Sequence, residues 1–208
     1  MIISISGASS TGKTTLLNTL SNYIKEDKYF EYIKVDYVTE YFRDYMHEYS
    51  IDTQTAFDDP IESLKIQYSL IQYLENTYNK LKNIKHSLII CDRCPLDSLI
   101  YTSLHYFRLS DIDKARQIKS YMDNIKICKE LTNKYIDRIY FTSPTKQTLK
   151  IEDDGERPKI YEDSREIEIT LFDEIFKKKG IKLPPKTLDR CSFILRDIKS
   201  IIEASNYF

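Results

Sequence analysis

The apolar positions of this chain fall into alternating strand-like and helix-like periods. Ile2, Ile3 and Ile5 form a short β-type run, and Leu16, Leu17 and Leu20 follow at helical spacing, which predicts a strand and then a helix from Lys13 to about Lys25. Glu31–Val38 alternates as a second strand, and Thr39–Met46 reads as a short helix with Thr39 near its N-cap. Residues 47–58 read as a loop. Pro60 opens a long helix with an apolar stripe of Ile61, Leu64, Tyr68, Ile71, Leu74, Tyr78 and Leu81. Gln67 and Gln72 stand off that stripe. Their amides could read a base edge, but the pattern places them on exposed surface. Ser87–Asp92 is an apolar third strand, and a helix opens after Cys94-Pro95. Asp111–Tyr135 predicts a long amphipathic helix with Ile112, Ala115, Ile118, Met122, Ile125, Leu131 and Tyr135 on its apolar side. Arg138–Thr142 is a fourth strand, stopped by Ser143-Pro144. Ser164–Lys179 is a helix ended by Gly180, Ile181–Leu183 a short fifth strand, and Thr187–Ala204 a final helix. Strands that alternate with helices predict a three-layer α/β fold: an open, mainly parallel sheet of about five strands with helices on both faces.

Length and charge narrow the picture. The 208 residues suit a single domain spanning 1–208, and no internal repeat or linker interrupts it. A 41% hydrophobic content supports a packed core. Lys plus Arg number 31 against 32 Asp plus Glu, so no global basic field invites nucleic acid. No stretch approaches the roughly 18 apolar residues of a membrane helix. The N-terminus lacks the basic segment of a secretory signal, so a cytoplasmic location is expected, and a homodimer is permitted. Cys91-Asp-Arg-Cys94 has C-x-x-C spacing, which could serve zinc or redox chemistry. Cys128 and Cys191 stand far away, and Cys91 ends an apolar strand, so packing is the expected role.

The first turn carries the clearest chemistry. Gly7-Ala8-Ser9-Ser10-Thr11-Gly12-Lys13-Thr14 fits G-x-x-x-x-G-K-[ST] between a strand and a helix, the setting that a phosphate-binding loop requires. Gly7 through Thr15 would bind the phosphates of a nucleotide. The loop's N–H groups and the helix N-terminus would face the phosphates, Lys13 would reach the β- and γ-phosphates, and Thr14 would sit on Mg²⁺. Asp92 ends an apolar strand in the Walker B manner and would help hold the metal. Arg93 comes at once after it, and Asp97 lies on the first turn of the next helix. Both would face the cleft, or else serve as an ion-pair partner and a first-turn acid.

Glu40 and Arg43 lie beyond the second strand, where open parallel sheets bind ligands. A carboxylate there can accept a bond from a substrate hydroxyl, and a guanidinium can hold phosphate; the pair also fits a solvated surface ion pair. The polar segment Lys150–Lys159 comes after the fourth strand and suits a lid over about 145–163, with Arg157 and then Arg165 as phosphate-clamping candidates. It also fits an ordinary charged loop.

With these segments in place, the chain resembles the AAA-domain family that includes the ribosylnicotinamide-kinase domain of bacterial NAD-salvage regulators. The resemblance rests on GASSTGKTT (7–15), TEYFRDY (39–45), ICDRCPLDSLIY (90–101) and EDDGERP (152–158). The third segment is also similar to the D-R-x…S-x-x-Y segment of thymidylate and deoxynucleoside kinases, although no E-P-G-G-T-like stretch comes after strand two. The resemblance implies a P-loop NTPase fold, Mg-ATP, and phosphoryl transfer to a small acceptor. It implies that Gly7, Gly12, Lys13 and Thr14 bind ATP and metal, with Asp92 assisting. Glu40, Arg43, Arg93 and Asp97 would line the acceptor side, and Arg157 would come from the lid. No adenylyltransferase or regulatory pattern accompanies these motifs, so kinase chemistry is implied without an NAD-salvage assignment. The expected reaction is ATP- and Mg²⁺-dependent transfer to a nucleoside, a nucleotide monophosphate or a ribosylnicotinamide-like acceptor. Lys13, Glu40, Asp92, Arg93 and Arg157 would be catalytic, and Glu40, Arg43, Arg93, Asp97 and Arg165 would bind the acceptor. The competing readings are a nucleotide-dependent switch acting on a partner or lipid, and a polynucleotide 5′-kinase.

Overall fold

Alternation within the three central strands decides the layering. In a strand, successive side chains point to opposite faces. Ile3 and Ile5 of β1 (Ile2–Gly7), Leu88 and Ile90 of β3 (Ser87–Asp92), and Tyr140 of β4 (Arg138–Thr142) pack on one face. There they meet Leu16, Leu20 and Ile24 of α1 (Lys13–Glu26) and Cys191, Ile194 and Ile198 of α7 (Thr187–Ser205). Ile2, Ile89, Cys91, Ile139 and Phe141 point the other way. They meet α3 (Pro60–Lys82), α4 (Pro95–Phe107), α5 (Asp111–Tyr135) and α6 (Arg165–Phe176). β2 (Lys34–Val38), α2 (Tyr41–Glu48) and the two-residue β5 (Ile181–Lys182) complete the elements. The computed structural model describes residues 1–38, 41–52, 58–84, 87–143 and 164–205, apart from the side chains of Arg43 and Ser205. Among these residues the five strands form one sheet in the order β2-β3-β1-β4-β5, with every neighbouring pair parallel.

This order explains where the chemistry sits. β1 lies between β3 and β4, so the connection leaving β1 emerges where the strand order reverses, the usual ligand crevice of open parallel sheets. The three-layer α/β expectation and its five strands are met. The second strand is shorter than predicted. A 3-10 turn at Lys28–Phe30, capped by the Asp27 side chain on Tyr29 N–H, uses the residues just before it, and the strand starts at Lys34. The predicted Thr39 cap lies outside the described residues. Pro60 does open α3, and Asp59 caps it through the Ile61 N–H at 2.8 Å.

Two predicted faces are corrected. On α5, Ile112, Ala115, Ile118 and Met122 are exposed. The packed line instead runs through Tyr121, Asn124, Cys128, Leu131 and Tyr135, with Tyr106 and Tyr121 stacked at 4.1 Å. The true stripe is displaced by one residue, about 100° around the helix, in its first half. Polar Gln117 and Asn124 occupy the packing side there, so hydrophobicity pointed to the wrong face. On α3, Gln67 is buried rather than exposed, and its Oε1 has no hydrogen-bond partner among the described residues. Gln72 is exposed, as its position predicts. No described helix is long and apolar enough to cross a membrane.

Candidate active site

The phosphate loop is shaped by three unusual backbone positions. Gly7 has φ 143°, and an added Cβ would clash with the Thr142 hydroxyl and stand 2.5 Å from the Thr142 carbonyl oxygen, so only glycine lets β1 leave the sheet here. Ser10 and Gly12 take left-handed φ values of 51° and 80°. Left-handed residues interspersed in a loop turn successive N–H groups into a concavity that suits an anion. Gly12 is also the N-cap of α1, and glycine offers no side chain there, so the first-turn N–H groups stay available to phosphate oxygens. Thr11 braces the loop: its hydroxyl donates to Ala8 O at 2.9 Å and lies 2.6 Å from Thr142 Oγ1. Lys13 curls back over the loop and donates to Ala8 O at 2.9 Å. Thr14 and Thr15 are exposed on the first turn of α1. Gly7 through Thr15, predicted as one ATP-binding stretch, thus form one continuous loop and helix start.

Asp92 stands beside this loop because β3 pairs with β1 in parallel, with Asp92 in register with Ile5. Thr14 and Asp92 supply hard oxygen donors on adjacent elements. This fits Mg²⁺, which is commonly held by one or two carboxylates plus substrate phosphates. Among the described residues no group of three His, Cys, Asp or Glu side chains is assembled for a metal, so the available protein donors are this sparse set.

Arg93 is in a left-handed conformation, φ 81°, which costs a non-glycine residue of order 1–3 kcal/mol. Its backbone is fixed by Arg93 N–H donating to Ile5 O at 3.0 Å. Its buried guanidinium donates to Gly7 O at 3.3 Å and to Asp97 Oδ1 at 3.4 Å, and lies 5.3 Å from the Tyr101 ring centroid. Asp97 is fully buried. It accepts from Ser6 Oγ at 2.7 Å, from Cys94 N–H at 2.9 Å and from Gly7 N–H at 3.5 Å. The structure therefore brings Arg93 against the phosphate loop, and engages Asp97 as an anchor between β1 and the first turn of α4. Tyr41 of α2 donates to Cys94 O at 2.8 Å, so the helix that carries position 43 is tied to the same turn. Glu40, the side chain of Arg43, Arg157 and the whole lid segment 145–163 lie outside the described residues.

Arg165 lies at the start of α6 with its guanidinium buried against Glu168 Oε2 at 2.7 Å and Ser9 O at 2.6 Å. Glu168, which no motif pointed to, accepts from Ser9 N–H at 2.9 Å and from Tyr101 Oη at 3.1 Å. Arg190 of α7 was also missed. It donates to Thr11 O at 2.9 Å and to Pro184 O at 2.7 Å, joining the loop to the segment after β5. The only sequence signal for the Arg165–Glu168 pair is its three-residue spacing on one helix, which many surface pairs share. Lys13, Arg93, Arg165 and Arg190 thus converge around Gly7–Gly12, an arrangement suited to a polyanion. Cys91 and Cys94 are free and fully buried. Burial pushes the Cys91 thiol up to about 12 and raises Cys94 as well, so both stay protonated and act as packing groups.

The chain is similar in fold to deoxyadenosine kinase from M. mycoides. The structure with products dCMP and a flexible dCDP bound has 17% identity and a TM-score of 0.64, covering 96% of this chain and 100% of that one. The structure with bound dATP gives 16% identity and 0.63 over 96% and 100%. NadR in complex with NR gives 21% identity and 0.52; the match covers 88% of this chain and 45% of that one, so this chain spans less than half of NadR. At these identities the likeness shows a common fold. No curated protein matches this chain. An AAA-domain family model matches residues 2–184, most of the chain and every described element of the phosphate site except α7, and the chain therefore belongs to the AAA-domain family.

Proposed function

We propose that this protein is a P-loop small-molecule kinase that transfers a phosphoryl group from ATP, with Mg²⁺, to a nucleoside, nucleotide monophosphate or ribosylnicotinamide-like acceptor in the cytoplasm. One observation carries the reading: Arg93, in a strained left-handed conformation, is held with its guanidinium against Gly7 O at the mouth of the phosphate loop. Strained residues of this kind cluster at functional sites. The fold shared with a deoxyadenosine kinase that holds dCMP, and with NadR in complex with NR, supports a small acceptor.

In this reading Gly7–Thr15 hold the triphosphate, and Thr14 and Asp92 hold Mg²⁺. The metal supplies charge neutralisation at the phosphates when bound. Lys13 neutralises charge developing on the transferred group. Glu40 orients or deprotonates the acceptor hydroxyl. Arg93 and Arg43 clamp a phosphate of the acceptor if it carries one, Arg157 closes from the lid, and Asp97 and Arg165 support the acceptor side. The Gln67 amide, buried with its Oε1 lacking a partner among the described residues, is a candidate to read a base edge.

A coupled assay of ATP consumption with and without a panel of nucleosides, monophosphates and nicotinamide riboside tests the proposal. At least one acceptor is expected to raise the rate by about tenfold or more. Equal rates with every acceptor would favour the hydrolytic switch instead.

A further inference from the structure

Ser9 is held by both of its backbone polar groups, and by opposite charges. Its N–H donates to Glu168 Oε1 at 2.9 Å, and its carbonyl accepts from Arg165 Nη2 at 2.6 Å. The two side chains lie one turn apart on α6 and pair with each other at 2.7 Å through the second carboxylate oxygen. Both are buried, Arg165 at 6% exposure and Glu168 at 0%. Taking a carboxylate and a guanidinium out of water costs several kcal/mol per ion, and an apolar pair of similar size is often as stable. Stability alone is therefore a weak reason for the pair. What it adds is direction: a planar fork and a carboxylate fix the orientation of one peptide unit on each side of Ser9.

The orientation at Ser9 is passed on to the anion concavity. Ser10 is left-handed, so a rotation at Ser9 would swing the next N–H groups of that concavity. Tyr101 extends the arrangement. Its hydroxyl donates to Glu168 Oε1 at 3.1 Å and lies 3.3 Å from Ser9 Oγ, while its ring lies under the Arg93 guanidinium. Phe172 of α6 meets the same ring edge-on at 6.2 Å.

We infer that Arg165, Glu168 and Tyr101 are positioning residues. Together they set the backbone of the phosphate loop at Ser9 and join it to Arg93, so that nucleotide affinity depends on α6 through the peptide units it holds at Ser9. The inference rests on the kinase reading only for the identity of the loop's ligand, a nucleoside triphosphate.

The test is titration calorimetry of Mg-ATP on the full chain, together with thermal unfolding without nucleotide. Two variants are used: Tyr101→Phe, which keeps the ring and removes the hydroxyl, and the double variant Arg165→Met/Glu168→Leu, which leaves no lone buried charge. The double variant is expected to unfold within a few degrees of wild type yet bind ATP about tenfold more weakly. Tyr101→Phe is expected to lose about threefold in affinity with an unchanged midpoint. Wild-type ATP affinity in a folded double variant would overturn the inference. If that variant does not fold, unchanged affinity in Tyr101→Phe overturns it instead. A wild-type protein that binds no nucleoside triphosphate would sink the kinase reading itself, and this inference with it.

Discussion

The Asp97 carboxylate, on the first turn of α4, accepts a hydrogen bond from the Ser6 hydroxyl of β1 at 2.7 Å. Its other oxygen lies 3.4 Å from Arg93 Nη1. One buried carboxylate thus fastens the strand that feeds the phosphate loop to the segment that carries Arg93. Asp97→Ala should cost about 3–5 kcal/mol in urea denaturation, because it removes a buried countercharge beside the Arg93 guanidinium and the acceptor of the Ser6 hydroxyl. If Asp97 instead acts mainly on the acceptor, Asp97→Asn would raise the acceptor KM while stability stays near wild type.

Lys13 donates to Ala8 O at 2.9 Å, a hydrogen bond that its substitution would remove. Lys13→Met should therefore lose only about 1 kcal/mol of stability. Its kcat for acceptor phosphorylation should fall by about 10³-fold, the scale of losing one charge-stabilising donor from a transition state. Steady-state kinetics beside a thermal melt separates the two effects, and wild-type-like turnover would remove Lys13 from the mechanism.

Gly7→Ala should be far more disruptive than an ordinary glycine substitution. The new methyl would stand 2.5 Å from Thr142 O, which is backbone and cannot rotate away. We expect a loss of about 3 kcal/mol and weakened ATP binding. Thr142→Ala in the same background removes the hydroxyl and should not rescue it, since the carbonyl stays in place; rescue would place the clash at the Thr142 hydroxyl instead.

The elements and the placement of Asp92 beside the phosphate loop were legible because their signals are local. Gly7–Thr14 and the apolar run ending in Asp92 each occupy under ten consecutive residues, and parallel pairing then brings Asp92 into register with Ile5. Glu168 and Arg190 were not legible, because their partners Ser9 and Thr11 lie 159 and 179 positions away. No short pattern links such distant residues. The exposed Ile112–Met122 stripe misled for a different reason: packing of aromatic Tyr121 onto Tyr106 outweighed the local apolar pattern. The burial of Gln67 was missed because its amide is polar, although its place between Leu64 and Ile71 at helical spacing puts it on the buried face.

His105 gives a prediction in pH. Burial pushes its imidazole down to about 3, with Arg108 acting in the same direction. In the unfolded chain the group titrates near about 6.5. The unfolded state therefore binds the proton first, and the stability present above pH 6.5 is lost as pH falls towards 3, at about 1.4 kcal/mol per pH unit. Between pH 6.5 and 5, where most carboxylates remain ionised, denaturation should show a loss approaching 2 kcal/mol. A His105→Gln variant should show a flatter profile over that window, and an equal slope would assign the loss to other groups.

The most direct test is transfer of label from γ-labelled ATP to the acceptor that best stimulates consumption, with chromatographic recovery of the product, for wild type and Arg93→Met. The account predicts stoichiometric label in the phosphorylated acceptor with wild type and loss of about 10²-fold or more with Arg93→Met. Label recovered only as inorganic phosphate, at equal rates in both proteins, would contradict it.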